Sequence, residues 1–147
     1  LGRVAVEKNI EAFLQLDVPG TRWVVGGGPA LESFRQAWPG VNFVGAKYGV
    51  ELATLLASAD VFVFPSRTDT FGIVLLEAMA CGLPVAAYPV DGPRDVVRHG
   101  ETGILDEDLA TAVRGALELD RAACRRQALE HTWERATEQF CTHLVAA

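Results

Sequence analysis

The sequence predicts an α/β domain: an open parallel sheet with helices on both faces. Two observations carry this. Apolar runs of four or five residues, each ending in turn residues, recur along the chain. Amphipathic segments of helical period lie between them. Runs of the first kind suit strands buried on both faces, and strand–helix alternation at this spacing produces βαβ units. At 147 residues the chain has the length of one domain and can bury a core without staples.

Taken in order, the chain opens on Val4-Ala-Val6, with a helix starting near Asn9. A full strand has little room there, so the chain is expected to begin at the end of a strand whose body is absent. Ile10, Phe13 and Leu14 then fall at helical spacing. Thr21–Val25 is β-rich and ends at Gly26-Gly27-Gly28-Pro29, and Val41–Val44 ends at Gly45. Leu52, Leu55 and Leu56 restore the helical stripe. Val61–Phe64 ends at Pro65-Ser66, and Pro84–Tyr88 ends at Pro89. Thr102–Leu105 is shorter and weaker. Leu109, Ala112, Val113, Ala116 and Leu117 carry a helix of two turns, and Trp133, Ala136, Phe140 and Leu144 a last helical seam. Trp23 and Trp38 are read as core or edge packing, and Cys81 as packing before Gly82.

Thirteen Lys and Arg stand against nineteen Asp and Glu, a net charge of −6. That balance argues against a nucleic-acid scaffold, which needs a basic face, but leaves room for a small anion held by two or three local cations. No apolar run approaches the ~18 residues of a membrane span, and Leu1-Gly2-Arg3 lacks the pattern of a secretory leader. Cys81, Cys124 and Cys141 have neither zinc nor Cys-x-x-C spacing and read as the reduced thiols of a cytoplasmic protein. His99, His131 and His143 form no metal-binding pair, so no metal site is expected.

In open parallel sheets ligands bind beyond the carboxyl ends of the strands, so the strand-to-helix turns hold the chemistry. Gly2-Arg3 and Lys8-Asn9 offer two cations at a helix start, where free N–H groups favour phosphate; the plainer reading is a solvated Arg and Lys. Gly26-Gly27-Gly28 fails as a dinucleotide loop, because position 31 is Leu31 and no acid closes the second strand. It serves either close helix packing or a ligand-facing loop. The turn after Phe64 leads through Asp69 and Phe71-Gly72 into a helix that Gly82 and Pro84 stop. Within that helix Glu77 lies among Ile73, Leu76, Met79 and Ala80. A carboxylate buried there needs a partner. Arg67 or Arg94 would serve, or a vicinal diol such as ribose. Asp91-Gly92-Pro93-Arg94 opens the next helix.

Asp69 and Glu77 are separated by seven residues. This resembles the Glu-x7-Glu signature of the retaining, nucleotide-sugar-dependent glycosyltransferases of family 4, with Asp at the first position. Gly2-Arg3…Lys8-Asn9, Val24–Pro29, Asn42–Gly45, Ser58–Ser66 and His99–Leu105 are similar to that family's segments in the same order, over essentially the whole chain.

The resemblance implies a Rossmann-like, single-domain half of a two-domain GT-B enzyme. Residues 1–147 would be its donor domain, with the first strand truncated and the acceptor-binding domain absent. It would move a hexosyl group from a nucleoside-diphosphate sugar to an acceptor hydroxyl, although this fragment alone would be inactive. The donor would be GDP-mannose or a UDP-hexose, with no cofactor and no metal. Membrane association, if present, would run through the absent domain. By the same resemblance Arg3 and Lys8 neutralise the diphosphate, Glu77 holds the ribose, and Asp69 holds the transferred sugar. Asp69, Arg3 and Lys8 form the catalytic set. Backbone at Phe71, Gly72, Ile73 and Val74 meets the phosphates and sugar, Val44 and Gly45 meet the base, and Gly27 counts among the donor-binding residues. The rival readings are an epimerase- or phosphorylase-like half, disfavoured by the paired acids, and a non-catalytic flavodoxin-like binding module. Convergence of Arg3 and Lys8 with Glu77 in one cleft separates them.

Overall fold

A computed structural model describes residues 1–69 and 71–144. A 3-10 turn at Val6–Lys8 leads into α1 (Ile10–Leu14), β1 (Trp23–Val25), α2 (Leu31–Ala37), β2 (Asn42–Gly45) and α3 (Gly49–Ala57). Then follow β3 (Phe62–Phe64), α4 (Ile73–Ala80), β4 (Val85–Ala87), α5 (Asp91–Val96), β5 (Gly103–Leu105), α6 (Leu109–Ala116), α7 (Arg121–Ala128) and α8 (Trp133–Thr142).

Every strand pairing is parallel. The strands fall into two groups: β1 beside β2, and β3-β4-β5 with β4 in the middle. In the larger group Phe62, Val85 and Gly103 stand in register. All three residues of β4 are buried. Val85 and Ala87 join a cluster with Phe62, Phe64, Leu75, Met79, Leu83 and Cys124, on the side of α4 and α7. Ala86 joins Leu109, Ala112 and Val113 of α6 on the other. Burial on both faces is why this strand reads as an uninterrupted apolar run. A third cluster, Val4, Leu14, Val24 and Phe43, lies under the smaller sheet.

Local chemistry sets the helix ends. The Asp108 carboxylate accepts from the Ala110 and Thr111 amides at the start of α6, and Asp120 from Ala122 at the start of α7, each occupying N–H groups the helix leaves unpaired. Gly82, at φ 76°, ends α4 in the left-handed region that glycine tolerates. Gln127 of α7 donates to the Val96 carbonyl at 2.6 Å and accepts from the Thr102 hydroxyl at 2.5 Å, fixing α7 to the α5–β5 connection through buried polar groups.

Two helices carry no expectation from the sequence, α2 and α7. Residues 121–128 are mostly polar, and α7 is held by a narrow stripe of Ala123, Cys124, Gln127 and Ala128. Trp23 follows the edge arm of the packing expectation rather than the core arm: it is 47% exposed on β1, an edge strand of the smaller sheet among the described residues. Trp38, half-buried, packs against the third cluster as expected. The last helical seam is solvent-exposed, with Trp133 83%, Phe140 66% and Leu144 61% accessible.

Candidate functional site

The opening segment runs alongside the end of β1. The Gly2 amide donates to the Val25 carbonyl and the Val4 amide to the Gly27 carbonyl, both at 2.9 Å. A Cβ on Gly26 would stand 1.7 Å from the Gly2 oxygen, and one on Gly28 2.3 Å from the Val4 oxygen, while Gly27 has open space. Gly26 and Gly28 are therefore glycine because two backbones touch there. Close packing accounts for those two positions, and Gly27 alone is clear for a ligand.

The 3-10 turn then bends toward the β3–α4 loop. Asn9, the one non-glycine residue with positive φ (52°) among the described residues, precedes α1 and donates from Nδ2 to the Pro65 carbonyl at 3.0 Å. The Thr68 hydroxyl donates to the Glu7 carbonyl at 3.4 Å. Lys8 Nζ forms an ion pair with Asp69, 61 residues away in sequence. Arg3 reaches Glu7 at 3.6 Å and stays largely exposed.

Asp69 is the electrostatic centre of this cluster. Burial pushes its carboxyl up, yet hydrogen bonds from Lys8 and Ser66 and the Lys8 charge outweigh burial and hold it below the usual aspartate range. Its Oδ2 is buried and has no hydrogen-bond partner among the described residues. Three residues on, Gly72 at φ 75° precedes α4. A Cβ there would meet Leu75 and Phe64 at 3.0–3.4 Å. The first N–H groups of α4 thus open beside Asp69, flanked by Phe71 (46% exposed) and Ile73 (60%).

Arg3, Lys8, Asp69, Phe71, Gly72, Ile73 and Val74 all line one cavity of about 1130 Å³. Val44, Gly45, Gly27 and Glu77 are not on its wall. Gly45 sits at the end of β2, where its carbonyl accepts from the Gly26 amide at 2.8 Å, and Gly27 is bound to Val4. Glu77 requires a correction. It is exposed on α4, and Arg67 is engaged elsewhere, with Glu107 at 3.1 Å and stacked 3.6 Å from the Tyr88 ring centre. Neither Arg67 nor Arg94 forms an ion pair with it among the described residues. The apolar composition of α4 concealed one solvent-facing edge. Sequence reasoning missed Ser66, Thr68 and Asn9. Of these, only Asn9, an Asn ahead of a helix, left a local signal.

Residues 2–119 match the family of glycosyl transferases, group 1. The chain belongs to that family. Its similarity to a sulfoquinovosyl transferase of Arabidopsis thaliana is 35% identity, covering 95% of the chain and 31% of the relative. To a GDP-mannose-dependent alpha-mannosyltransferase of Mycobacterium tuberculosis it is 36%, covering 99% and 42%. The chain therefore spans less than half the length of these two curated relatives. Among solved structures, the sucrose-phosphate synthase of Thermosynechococcus elongatus superposes with TM-score 0.75 at 28% identity, over 96% of this chain and 43% of that one. The pneumococcal O-GlcNAc transferase GtfA, solved with UDP and GlcNAc, gives 0.75 at 21%, over 96% and 34%. The parallel-stranded α/β domain expected from sequence is thus the fold of GT-B glycosyltransferases.

Proposed function

We propose that this group 1 glycosyltransferase domain binds the donor nucleotide sugar of a retaining, family 4 enzyme, which transfers a hexosyl group from GDP-mannose or a UDP-hexose to an acceptor hydroxyl. An acceptor-binding domain would face it across the cleft. The single observation that carries the reading is the meeting of Lys8, Asp69 and the α4 amino terminus on one cavity wall, with Arg3 beside them.

The chemistry follows from charge. A nucleoside diphosphate leaves with growing negative charge on its phosphates. Arg3, Lys8 and the free amides of Gly72–Val74 are cations and dipoles set in advance at that position, which lowers the barrier without reorganisation. This assignment requires no metal. On donor binding Lys8 exchanges part of its contact with Asp69 for a phosphate oxygen. Asp69, with one oxygen unpartnered among the described residues, then accepts from a sugar hydroxyl. Glu77, exposed and free of Arg67, accepts from the ribose diol, while the backbone of Gly27, Val44 and Gly45 borders the base. Names of relatives that include GDP-mannose and structures solved with UDP support the donor class.

The test is a calorimetric titration of UDP, GDP, UDP-glucose and GDP-mannose on the wild type and on Glu77→Gln. A hydrogen bond to a charged group contributes about 1.5–3 kcal/mol. Weakening two of them lowers nucleotide affinity roughly ten- to a hundredfold, at about 1.4 kcal/mol per decade. Because Glu77 is exposed, the melting temperature stays put. Unchanged affinity in the mutant removes the ribose assignment, and no binding of any nucleotide by the wild type removes the donor reading.

A further inference from the structure

A second, smaller cavity of about 310 Å³ opens between the ends of β3 and β4. Arg67, Thr68 and Asp69 line it from the turn after β3, and Val90, Asp91 and Arg94 from the turn after β4 and the start of α5. Its size lies at the lower end of the roughly 300–1,000 Å³ of small-molecule sites. It also sits at the carboxyl ends of neighbouring parallel strands, where ligands of open sheets bind. Asp69 is the one described residue that lines both cavities. Arg3, Lys8 and Gly72–Val74 line only the larger one.

The walls are fixed, yet their polar groups are unspent. The Arg67 guanidinium lies 3.6 Å from the ring centre of the buried Tyr88, and Glu107 holds one of its nitrogens at 3.1 Å. The Arg94 amide donates to the Val90 carbonyl at 3.0 Å, which sets the first turn of α5. Among the described residues the side chains of Asp91 and Arg94 make no hydrogen bond or ion pair, and Asp69 Oδ2 has no partner. Two guanidiniums that can only donate thus share the cavity with two carboxylates that can only accept. A hydroxyl does both, and a vicinal pair of hydroxyls spans the two oxygens of a carboxylate or the fork of a guanidinium. The charges also cancel. Lys8 and Glu107, the next charges outward, are one of each sign and leave the sum unchanged. An uncharged ligand keeps this balance, whereas an anionic one is set against Asp69 and Asp91.

We infer that the smaller cavity holds vicinal hydroxyls of an uncharged polyol, and that this polyol is the near end of the acceptor. The rest of the acceptor is bound across the cleft. An occupant meets Asp69 without touching the groups assigned to the diphosphate. A carboxylate oxygen accepts two hydrogen bonds, so Oδ2 serves the transferred sugar and the acceptor together. Polyol binding stands on the cavity alone; the acceptor role rests on the donor reading above.

The experiment titrates the 147-residue chain with methyl glucoside, methyl mannoside and myo-inositol, and with methyl glucuronide as the anionic counterpart. Each titration is run with and without saturating UDP and is followed by NMR at the Thr68, Val90 and Asp91 amides and at Arg94 Nε. At least one neutral polyol shifts these signals, and the glucuronide binds more weakly than the glucoside. Arg94→Ala and Asp91→Ala each weaken the polyol roughly tenfold, the effect of one hydrogen bond to a charged group. Both side chains are exposed, so melting temperature and UDP affinity stay unchanged. No shift from any of the three polyols, shifts that persist in both variants, or tighter binding of the glucuronide overturns the proposal. UDP binding without polyol shifts overturns it while sparing the donor reading. Polyol shifts without UDP binding keep the cavity's ligand class and remove the donor reading together with the acceptor role.

Discussion

At the scale of single residues, the site is organised by a contact between Lys8 and Asp69. The sign of its pH dependence follows from the direction of the Asp69 shift. A carboxyl held below its ordinary range contributes stability above the unfolded-state value and loses it as pH falls through the lower, folded value. The contact is therefore intact at neutral pH and is lost as pH falls below the ordinary aspartate range. A carboxyl-carbon NMR titration of Asp69 finds a midpoint below the ordinary aspartate value. In Lys8→Met, burial remains and its main opponent is gone, so the midpoint moves up. A wild-type midpoint at or above the ordinary value contradicts the ion pair. Residue-level legibility was uneven for a physical reason. Arg3, Lys8 and Asp69 announce themselves by charge at strand ends. That Lys8 meets Asp69 depends on two turns distant in sequence folding toward each other, which no local pattern encodes. Glu77 was misread because helix periodicity in α4 is nearly flat: with Ile73, Val74, Leu75 and Leu76 in succession, no stripe marks the wet side.

Among elements, the Gly26–Gly28 turn decides how the opening segment is held. Two of its glycines lie against backbone and one does not, so substitution separates them. Gly26→Ala drives a Cβ into the Gly2 carbonyl. Relief requires displacing residues 1–4, at a cost of about 1–3 kcal/mol. Because Arg3 and Lys8 ride on that segment, nucleotide affinity falls along with the melting temperature. Gly27→Ala, with nothing within 4 Å, leaves the melting temperature nearly unchanged. Equal effects from the two mutants would falsify the close-approach account. The strands themselves were legible as apolar runs, correct in place and mostly one or two residues long at their ends, though Val41–Val44 stopped one residue short of the end of β2 at Gly45. Helix α7 was not, since its buried side is mostly Ala, Cys and Gln, and Thr102 and Val96, which hold Gln127, come from another element.

For the molecule as a whole, the exposed seam of α8 and the one-sided cavity have the same implication for activity. Trp133, Phe140 and Leu144 present apolar surface to solvent along one stripe, the kind of patch that marks an interaction site. If the chain is the donor half proposed above, the purified 147 residues are expected to bind nucleotide yet transfer no sugar, because that reading puts the acceptor wall of the cleft in another domain. A radiolabelled-donor assay with measurable turnover by the chain alone would contradict that. The division of the strands into two sheets has a thermodynamic consequence as well. Val4, Leu14, Val24 and Phe43 form a cluster of their own beneath β1 and β2. The tie to the larger sheet passes through the Asn9, Thr68 and Lys8 contacts and through Leu1, Leu16 and Val18, partly buried against the clusters of that sheet. Cooperativity requires that breaking one part exposes the other, and here, among the described residues, only these partly buried side chains supply apolar contact across the divide. Heating should therefore release the β1–β2 half first. Calorimetry then records an enthalpy larger than the van't Hoff value from tryptophan fluorescence, since two of the three indoles, Trp23 and Trp38, report only on the half that melts early.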